Sequence, residues 1–336
     1  MKLKTKLIAS FLCVGLIPVI VVGVVAFNIA KQLEQGVSTQ LRTVASDSLE
    51  KIERNLFERY GDVQAFGYNT VAHDKSHWYK PSDDNPLVQS MDKYIYAYGC
   101  YYLSVLVDLD GKVAAVNSRD STGKPVETRF LYEKNFKDAT WFQDALAGRF
   151  LESKQLTGTV VEDVAIDQDI RRIFNDEGLC IGFSAPVKNL AGETIGVWKN
   201  YTKMSLVEEI VAAAQADGEA SQLIENEVTL IDRSGRVLVD CDPTLNGEPI
   251  NRDVENVVLK LNLGTKGVAA ADAALKGGTG SIRSLHARKG EWQSAGYAHS
   301  SGAMGYPGLG WSLLMRVPER VSLANVHAVE MWVGGI

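Results

Sequence analysis

Two stretches of the chain follow one pattern 124 positions apart (Asp108 to Asp232), and that duplication constrains the fold more than any other feature. Val107-Asp108 through Gly111-Lys112-Val113 matches Ile231-Asp232 through Gly235-Arg236-Val237. Further on, Gly123-Lys124-Pro125-Val126 matches Gly247-Glu248-Pro249-Ile250, and 12 positions separate the turn glycine from the later glycine in both copies. A shared offset across two motifs points to two copies of one structural unit. In the first copy an apolar run (Tyr101 to Val107), an Asp/Gly turn (Asp108-Leu109-Asp110-Gly111) and a second run (Val113 to Val116) form a hairpin signal.

Ahead of both copies lies a different kind of sequence. Lys2, Lys4 and Lys6 precede Leu7 to Ala30, which runs 24 residues without a charge. A bilayer-spanning helix needs about 20 apolar residues, and a signal-peptide core only about 7–15. The run is therefore expected to span a membrane, with Pro18 accommodated as membrane helices allow; an uncleaved export signal is the alternative. Lysines before the run and few cations after it place the N-terminus in the cytoplasm and residues from about 31 outside it. From Lys31 to Val71 the apolar positions Val37, Leu41, Val44, Leu49, Ile52, Leu56, Val63 and Phe66 recur at helical spacing, with charges between them. At about 1.5 Å per residue, such a helix reaches roughly 60 Å. Its stripe can pack on the chain's own modules or on a second copy, so a homodimer through this helix is expected as one option.

The remainder reads as alternating strands and short helices. Trp78 to Asn85 is a break, and Leu87, Met91, Tyr94 and Tyr98 form a helical stripe. Trp141 to Gly148 predicts a helix with Asp138 as N-cap and Gly148 as its stop. Thr157 to Phe174 reads as strand-like and acidic, and Leu179 to Val187 and Thr194 to Tyr201 as strands. Ser205 to Ile224 reads as a connecting helix. Strands then follow at Glu227 to Ile231 and Val237 to Asp240, a helical segment at Val254 to Ala274, and strands near Gly280 to Ala287, Glu291 to Ser300 and Trp311 to Val317. Pro318 and Glu319 open a last helical segment, whose apolar end, Met331 to Ile336, is too short to cross a bilayer. Apolar residues make up 46% and charged residues 23%, as in ordinary folded material. A net charge of -6 without a basic stripe argues against nucleic acid as a partner. Cys13, Cys100, Cys180 and Cys241 are scattered, so buried free thiols are expected, with one disulfide as the alternative.

With a membrane span, a long helix and two tandem units in this order, the chain resembles the double Cache (dCache) ligand-binding region of bacterial methyl-accepting chemotaxis proteins. The resemblance is carried by DLDGKVAAVN at Asp108–Asn117, DATWFQDALAG at Asp138–Gly148, FSAPVKNLAGETIGVW at Phe183–Trp198 and YPGLGWSLLMRV at Tyr306–Val317. It implies an α+β fold: a transmembrane helix and long helix followed by two PAS-like modules with antiparallel sheets. The implied division is a cytoplasmic tip and span (1–30), a long helix (31–75), a membrane-distal module that holds the ligand (76–204), a connecting helix (205–225), a membrane-proximal module (226–318) and the start of a helix towards a second span (319–336). It also implies a bacterial inner-membrane receptor whose signalling part is not in this sequence. Amino-acid-binding members carry an arginine just before a Trp-Tyr pair and an aspartate late in the last distal strand. Here Ala139-Thr140 precedes Trp141-Phe142, and that strand reads Val197-Trp198-Lys199-Asn200-Tyr201. The usual clamps for an amino acid's carboxylate and ammonium are thus not plainly present, and the resemblance does not by itself imply an ordinary amino acid as ligand.

A small-molecule pocket needs apolar and aromatic walls with a few convergent polar groups. The expected ligand-binding residues are Tyr102, Asn117, Arg129, Tyr132, Trp141, Phe142, Asp163, Asp167, Trp198 and Tyr201, with Lys199 beside them. Asp163 and Asp167 lie four apart on a strand-like run, which would project both to one face to grip a cationic group. Against these readings, Trp141 can be core, Arg129 a solvated loop cation and the aspartates a solvent-facing pair. The five histidines form no HExxH or His/Cys cluster, the Asp108 turn lacks the ligand spacing of an EF-hand, and neither GxSxG nor a P-loop is present. No catalytic residue, metal or cofactor is expected. The function expected is small-molecule sensing outside the cytoplasm. The alternatives are the sensor of a histidine kinase or diguanylate cyclase, and a membrane-anchored scaffold without a metabolite ligand, which an empty or side-chain-filled distal cavity would favour.

Overall fold

The computed structural model describes residues 3–154, 156–246, 249–286 and 288–334. Leu3–Gly67 is one continuous helix of 65 residues with Pro18 inside it, about 100 Å long at 1.5 Å per residue. Its apolar first part is largely exposed: Phe11 is 77% exposed and Val14 76%, while the final helix, Ala324–Gly334, lies beside Val21 to Ile29. Beyond residue 40 the helix becomes one-sided. Leu41, Ala45, Leu49, Ile52, Leu56, Tyr60, Val63 and Phe66 are buried, while Arg42, Asp47, Glu50, Lys51 and Arg54 stay in solvent. The change from all-round apolar to striped marks where a helix suited to lipid becomes one that packs on protein.

The stripe packs against two five-stranded antiparallel sheets. The distal sheet comprises β1 (Tyr101–Asp108), β2 (Val113–Val116), β3 (Val160–Ile166), β4 (Leu179–Lys188) and β5 (Thr194–Lys203) in the order β2-β1-β5-β4-β3. The proximal sheet comprises β6 (Glu227–Ile231), β7 (Val237–Cys241), β8 (Gly280–Leu285), β9 (Trp292–His299) and β10 (Ser312–Pro318) in the order β7-β6-β10-β9-β8. The topologies are the same, and the sequence repeat superimposes on them. Pairing shifts by one residue between Leu106 and Val107 and again between Leu230 and Ile231. Asp108 Oδ1 accepts from the backbone N–H groups of Asp110 and Lys112 at 2.8 and 2.9 Å, and Asp232 Oδ1 from those of Ser234 and Arg236 at the same distances. These Asx contacts close the turn, and Gly111 (φ 84°) and Gly235 (φ 90°) supply the left-handed residue it requires. Of the second shared motif, Gly247 and Glu248 lie outside the described residues.

Four elements differ from the sequence reading. The acidic run beyond Thr157 is a strand followed by a helix, Gln168–Phe174, because Asp167 caps it through the N–H groups of Asp169 and Ile170. The Thr140–Ala147 helix begins after Ala139, without a side-chain cap from Asp138, and stops at Gly148 in the left-handed conformation. Of the segment expected to be helical from Val254, only Ala269–Leu275 is a regular helix. The strand expected to reach Ala287 ends at Leu285, and Ala287 lies outside the described residues. The Pro86–Tyr98 helix, capped by Asn85, and the Ser205–Ala220 helix lie where the pattern placed them. The four cysteines are free.

At the start of β6, an inner strand of the proximal sheet, Glu227 is buried among Lys289, Arg316 and the His286 imidazole. Lys289 Nζ lies 2.5 Å and His286 Nε2 2.9 Å from its carboxylate, and Arg316 3.2 Å; Lys289 also reaches Asp242 at 2.9 Å. Burial alone would raise the Glu227 carboxyl, but Arg316, His286 and Lys289 outweigh it and hold the group far below its ordinary 4.5. A depressed carboxylate contributes stability that is present above the unfolded value and lost as pH falls below it. Urea melts of the chain are therefore expected to weaken progressively below pH 4.5. Glu227→Gln should flatten that acid limb while costing about 3–5 kcal/mol at neutral pH, because Lys289 and Arg316 lose their counter-charge. An unchanged acid limb in the variant would show that the cluster does not carry this linkage.

Candidate functional site

In a strand, alternate residues point to opposite faces, and β5 uses that alternation sharply. Trp198, Asn200 and Thr202 face the long helix. Val197, Lys199 and Tyr201 face the other side, where the Thr140–Ala147 helix lays Trp141 and Phe142 over the sheet. Cross-strand pairing puts Ser184 opposite Lys199 and Gly182 opposite Tyr201 on β4, and Glu162 of β3 opposite Gly182. The result is a cage around one ammonium. Lys199 Nζ sits 4.7 Å from the Trp141 ring centre and 4.4 Å from that of Tyr201, and it pairs with the Glu162 carboxylate. Cation–π attraction of this kind is strongest where water is excluded. Lys199 is 5% exposed, but the Glu162 side chain is 38% exposed and forms the solvent side of the cage. A Cβ on residue 182 would collide with the Glu162 carboxylate, so Gly182 lets that side chain lie across the strand. The Ser184 hydroxyl is fully buried and has no hydrogen-bond partner among the described residues. Burial pushes the Tyr201 phenol far above its ordinary value, and it remains neutral.

Of the residues expected from sequence, Trp141, Phe142 and Tyr201 come together here with Lys199. Trp198 lies on the opposite face. Its indole N–H donates to Ser104 Oγ at 2.7 Å and Asn200 Oδ1 at 3.0 Å, and its ring stands 6.2 Å from that of Phe66 in the long helix. Three positions separate Trp198 from Tyr201, an odd number, and the pleat puts them back to back. Asn117 is a buried brace: its Oδ1 accepts from the Ser104 N–H and its Nδ2 donates to the Arg119 carbonyl. The Tyr102 hydroxyl donates to Asp176 at 2.5 Å, its ring 4.9 Å from Phe174. Asp163 and Asp167 do not share a face, because the pairing shifts between Glu162 and Ala165 and the strand ends at Ile166. Asp163 accepts the Trp311 indole N–H at 2.9 Å, tying the two modules together, and burial raises its carboxyl. Asp167 is the helix cap. Arg129 and Tyr132 line a separate cleft of about 440 Å³ with Asp83 and Glu127; Arg129 is exposed, and burial pushes the Tyr132 phenol up to about 12. Sequence reasoning missed Glu162, Gly182 and Ser184. Their one visible signal is the alternation Cys180-Gly182-Ser184, small or polar residues on the face of β4 that would otherwise be apolar.

The proximal module shows the position equivalent to Lys199 without a charge, its own buried pair Glu227–Arg316 lying two residues further along the same strands. Val105 pairs with Lys199 on β5, and Thr229, the same position in the repeat, pairs with Leu314 on β10. Lys199 pairs with Ser184, and Leu314 with Tyr297. The proximal module thus has Leu314 where the distal one has Lys199, beneath an alanine-rich helix whose Ala270, Ala271 and Ala274 are fully buried. The fold itself needs no lysine at this position.

No protein-family model and no curated protein sequence matches the chain. Solved structures do match. The ligand-binding domain of the Campylobacter jejuni chemoreceptor Tlp3, in complex with L-norvaline, superimposes with a TM-score of 0.57 at 11% identity over 87% of this chain and 94% of that one. The ligand-binding domain of the Pseudomonas aeruginosa amino acid chemoreceptor PctC, in complex with GABA, gives 0.50 at 16% identity over 82% and 96%. That of Pseudomonas fluorescens CtaA with L-serine gives 0.51 at 11% over 86% and 98%. The chain has the α+β fold of the sensory domains of bacterial chemoreceptors, the fold that its sequence resemblance implied.

The two buried serines of this sheet make contrasting predictions. Ser184→Ala deletes a hydroxyl that has no partner, so denaturant stability is expected to stay level or rise. Ser104→Ala removes the acceptor of the Trp198 indole N–H and a donor to Asn200 at 2.7 Å, and should cost about 1–3 kcal/mol. Equal losses in urea melts of the two variants would contradict the assignment of Ser184 as unpartnered.

Proposed function

We propose that this chain is the sensing region of a transmembrane receptor, and that it binds a small molecule outside the cytoplasm at the Lys199 site of its distal module. One observation carries the reading: a lysine and an unpartnered serine are buried beneath Trp141 and Tyr201, where the twin module has Leu314 and Tyr297. The matched chemoreceptor domains, solved with L-norvaline, GABA and L-serine, support it. The scaffold alternative requires only that the space over the sheet be filled. Lys199 does fill it, but an ammonium is a costly filler that stays buried only with partners, and an apolar side chain would serve better.

In this reading the apolar start of the long helix anchors the chain in a bacterial inner membrane, and residues from about 31 onward lie outside it. Residues 76–204 form the ligand-binding module and 226–318 the supporting one. A ligand shifts a receptor only by its difference in affinity for two states. The element able to relay such a shift is the long helix, whose stripe packs on both sheets and continues into the apolar segment. The charged face from Arg42 to Arg54 leaves this helix free to lie beside a second copy.

A thermal-shift screen of the detergent-solubilised full chain against amino acids, amines, organic acids and purines tests the reading. At a concentration about 100-fold above the dissociation constant, binding stabilises by about 2.7 kcal/mol, a readable rise in melting temperature. At least one class is expected to stabilise the parent and to lose its effect in Lys199→Met. No stabilisation by any class would overturn it.

A further inference from the structure

Resting on the sensing reading, we propose that the distal site takes a small organic carboxylate lacking an ammonium group, which replaces Glu162 on Lys199 and Ser184. The floor of the site offers an anion two donors. Lys199 has three N–H groups and one carboxylate partner, and Ser184 has a free O–H one cross-strand position away. Lys199 cannot leave, because β5 is hydrogen-bonded to β1 on one side and β4 on the other. Its ammonium already occupies the faces of Trp141 and Tyr201. A ligand cation would therefore meet a fixed like charge with no aromatic face left to hold it.

Glu162 is the replaceable partner. It comes from β3, at the edge of the sheet and beside the shift in pairing, and its side chain is 38% exposed. Released from Lys199 its part-exposed carboxylate regains water, and because another carboxylate takes its place the buried ammonium is never left unpaired. An incoming carboxylate restores the charge pair and in addition gives Ser184 the acceptor it lacks. That added hydrogen bond, made in a buried place, favours the ligand over the side chain it displaces. Glu162 thus acts as an internal competitor for the anion site. The proximal cluster forms a contrast: the Glu227 carboxylate is 1% exposed and held by Lys289, His286 and Arg316 together, so it cannot swing out to water as Glu162 can.

Titration calorimetry on the full chain in nanodiscs tests this with three matched pairs of probes: propionate and benzoate, propylamine and benzylamine, alanine and phenylalanine. The expected result is binding of propionate or benzoate and not of the corresponding amine. Glu162→Gln should then bind the acid roughly tenfold tighter, because the competitor is gone. Ser184→Ala should bind it roughly tenfold weaker while melting like the parent, and Lys199→Met should lose it. Binding by the amines or amino acids in preference to the acids would overturn the proposal. So would an acid affinity weakened by Glu162→Gln, which would make Glu162 a ligand contact and not a competitor. If none of the six probes binds while the broader screen finds a stabilising compound of another class, this proposal fails and the sensing reading stands; if both are blank, both fail.

Discussion

The structure depends on one contact surface, the stripe of the long helix that both sheets share. Leu41, Ala45, Leu49, Ile52, Leu56, Tyr60, Val63 and Phe66 belong to a single buried cluster that also holds Trp198 from the distal sheet and Leu313, Met315 and Val317 from the proximal one. The approach is close enough that a Cβ on Gly296 of β9 would strike the helix backbone at Leu41. Direct ties reinforce it: the Tyr60 hydroxyl donates to the Leu151 carbonyl at 2.7 Å, Ser300 donates to Glu53, and Trp311 donates to Asp163. Close-packed interiors transmit small displacements because they have little room to absorb them. A helix gripped at two places and continuing into an apolar segment is a mechanical link by construction.

The modules on that helix share topology, bulge and turn, yet their outer faces have different uses. The proximal face is sealed by an alanine-rich helix over Ile231, Ala295 and Leu314. The distal face is covered by aromatic rings around a buried ammonium. Each module also buries charge in its own way. Glu227 is itself fully buried and held by Lys289, Arg316 and His286 together, so that cluster behaves as a fixed strut. Lys199 is buried while its partner is half in water, so that pair can open from one side. In the proposed reading, the physical asymmetry between a closed and an open ion pair separates a supporting module from one equipped to bind.

How much of this was legible beforehand can be read from particular residues. The repeat predicted two hairpins because Asp108 and Asp232, with Gly111 and Gly235, specify a turn by local hydrogen bonds that need no distant partner. The apolar run and the stripe after it predicted the long helix, though not that the two would be continuous as far as Gly67. The site was only partly legible. Trp141, Phe142 and Tyr201 stood out as aromatics, but Trp198 was assigned to the same group although the pleat turns it away. Asp163 and Asp167 were expected to work as a pair, but a shifted register and a helix cap separate them.

The sequence by itself determined the elements whose cause is local: the membrane-length apolar run, the amphipathic stripe, the two Asx turns and the glycine that stops the Thr140–Ala147 helix. Only the tertiary structure decided which side chains meet. Glu162, Ser184 and Lys199 come from three strands, and nothing in their spacing says that β3 and β5 flank β4 or which residues stand opposite one another. Register is a property of pairing, and one residue of slip reverses a strand's faces. It is register that brings Lys199 under Trp141, leaves Ser184 without a partner and distinguishes this module from its twin.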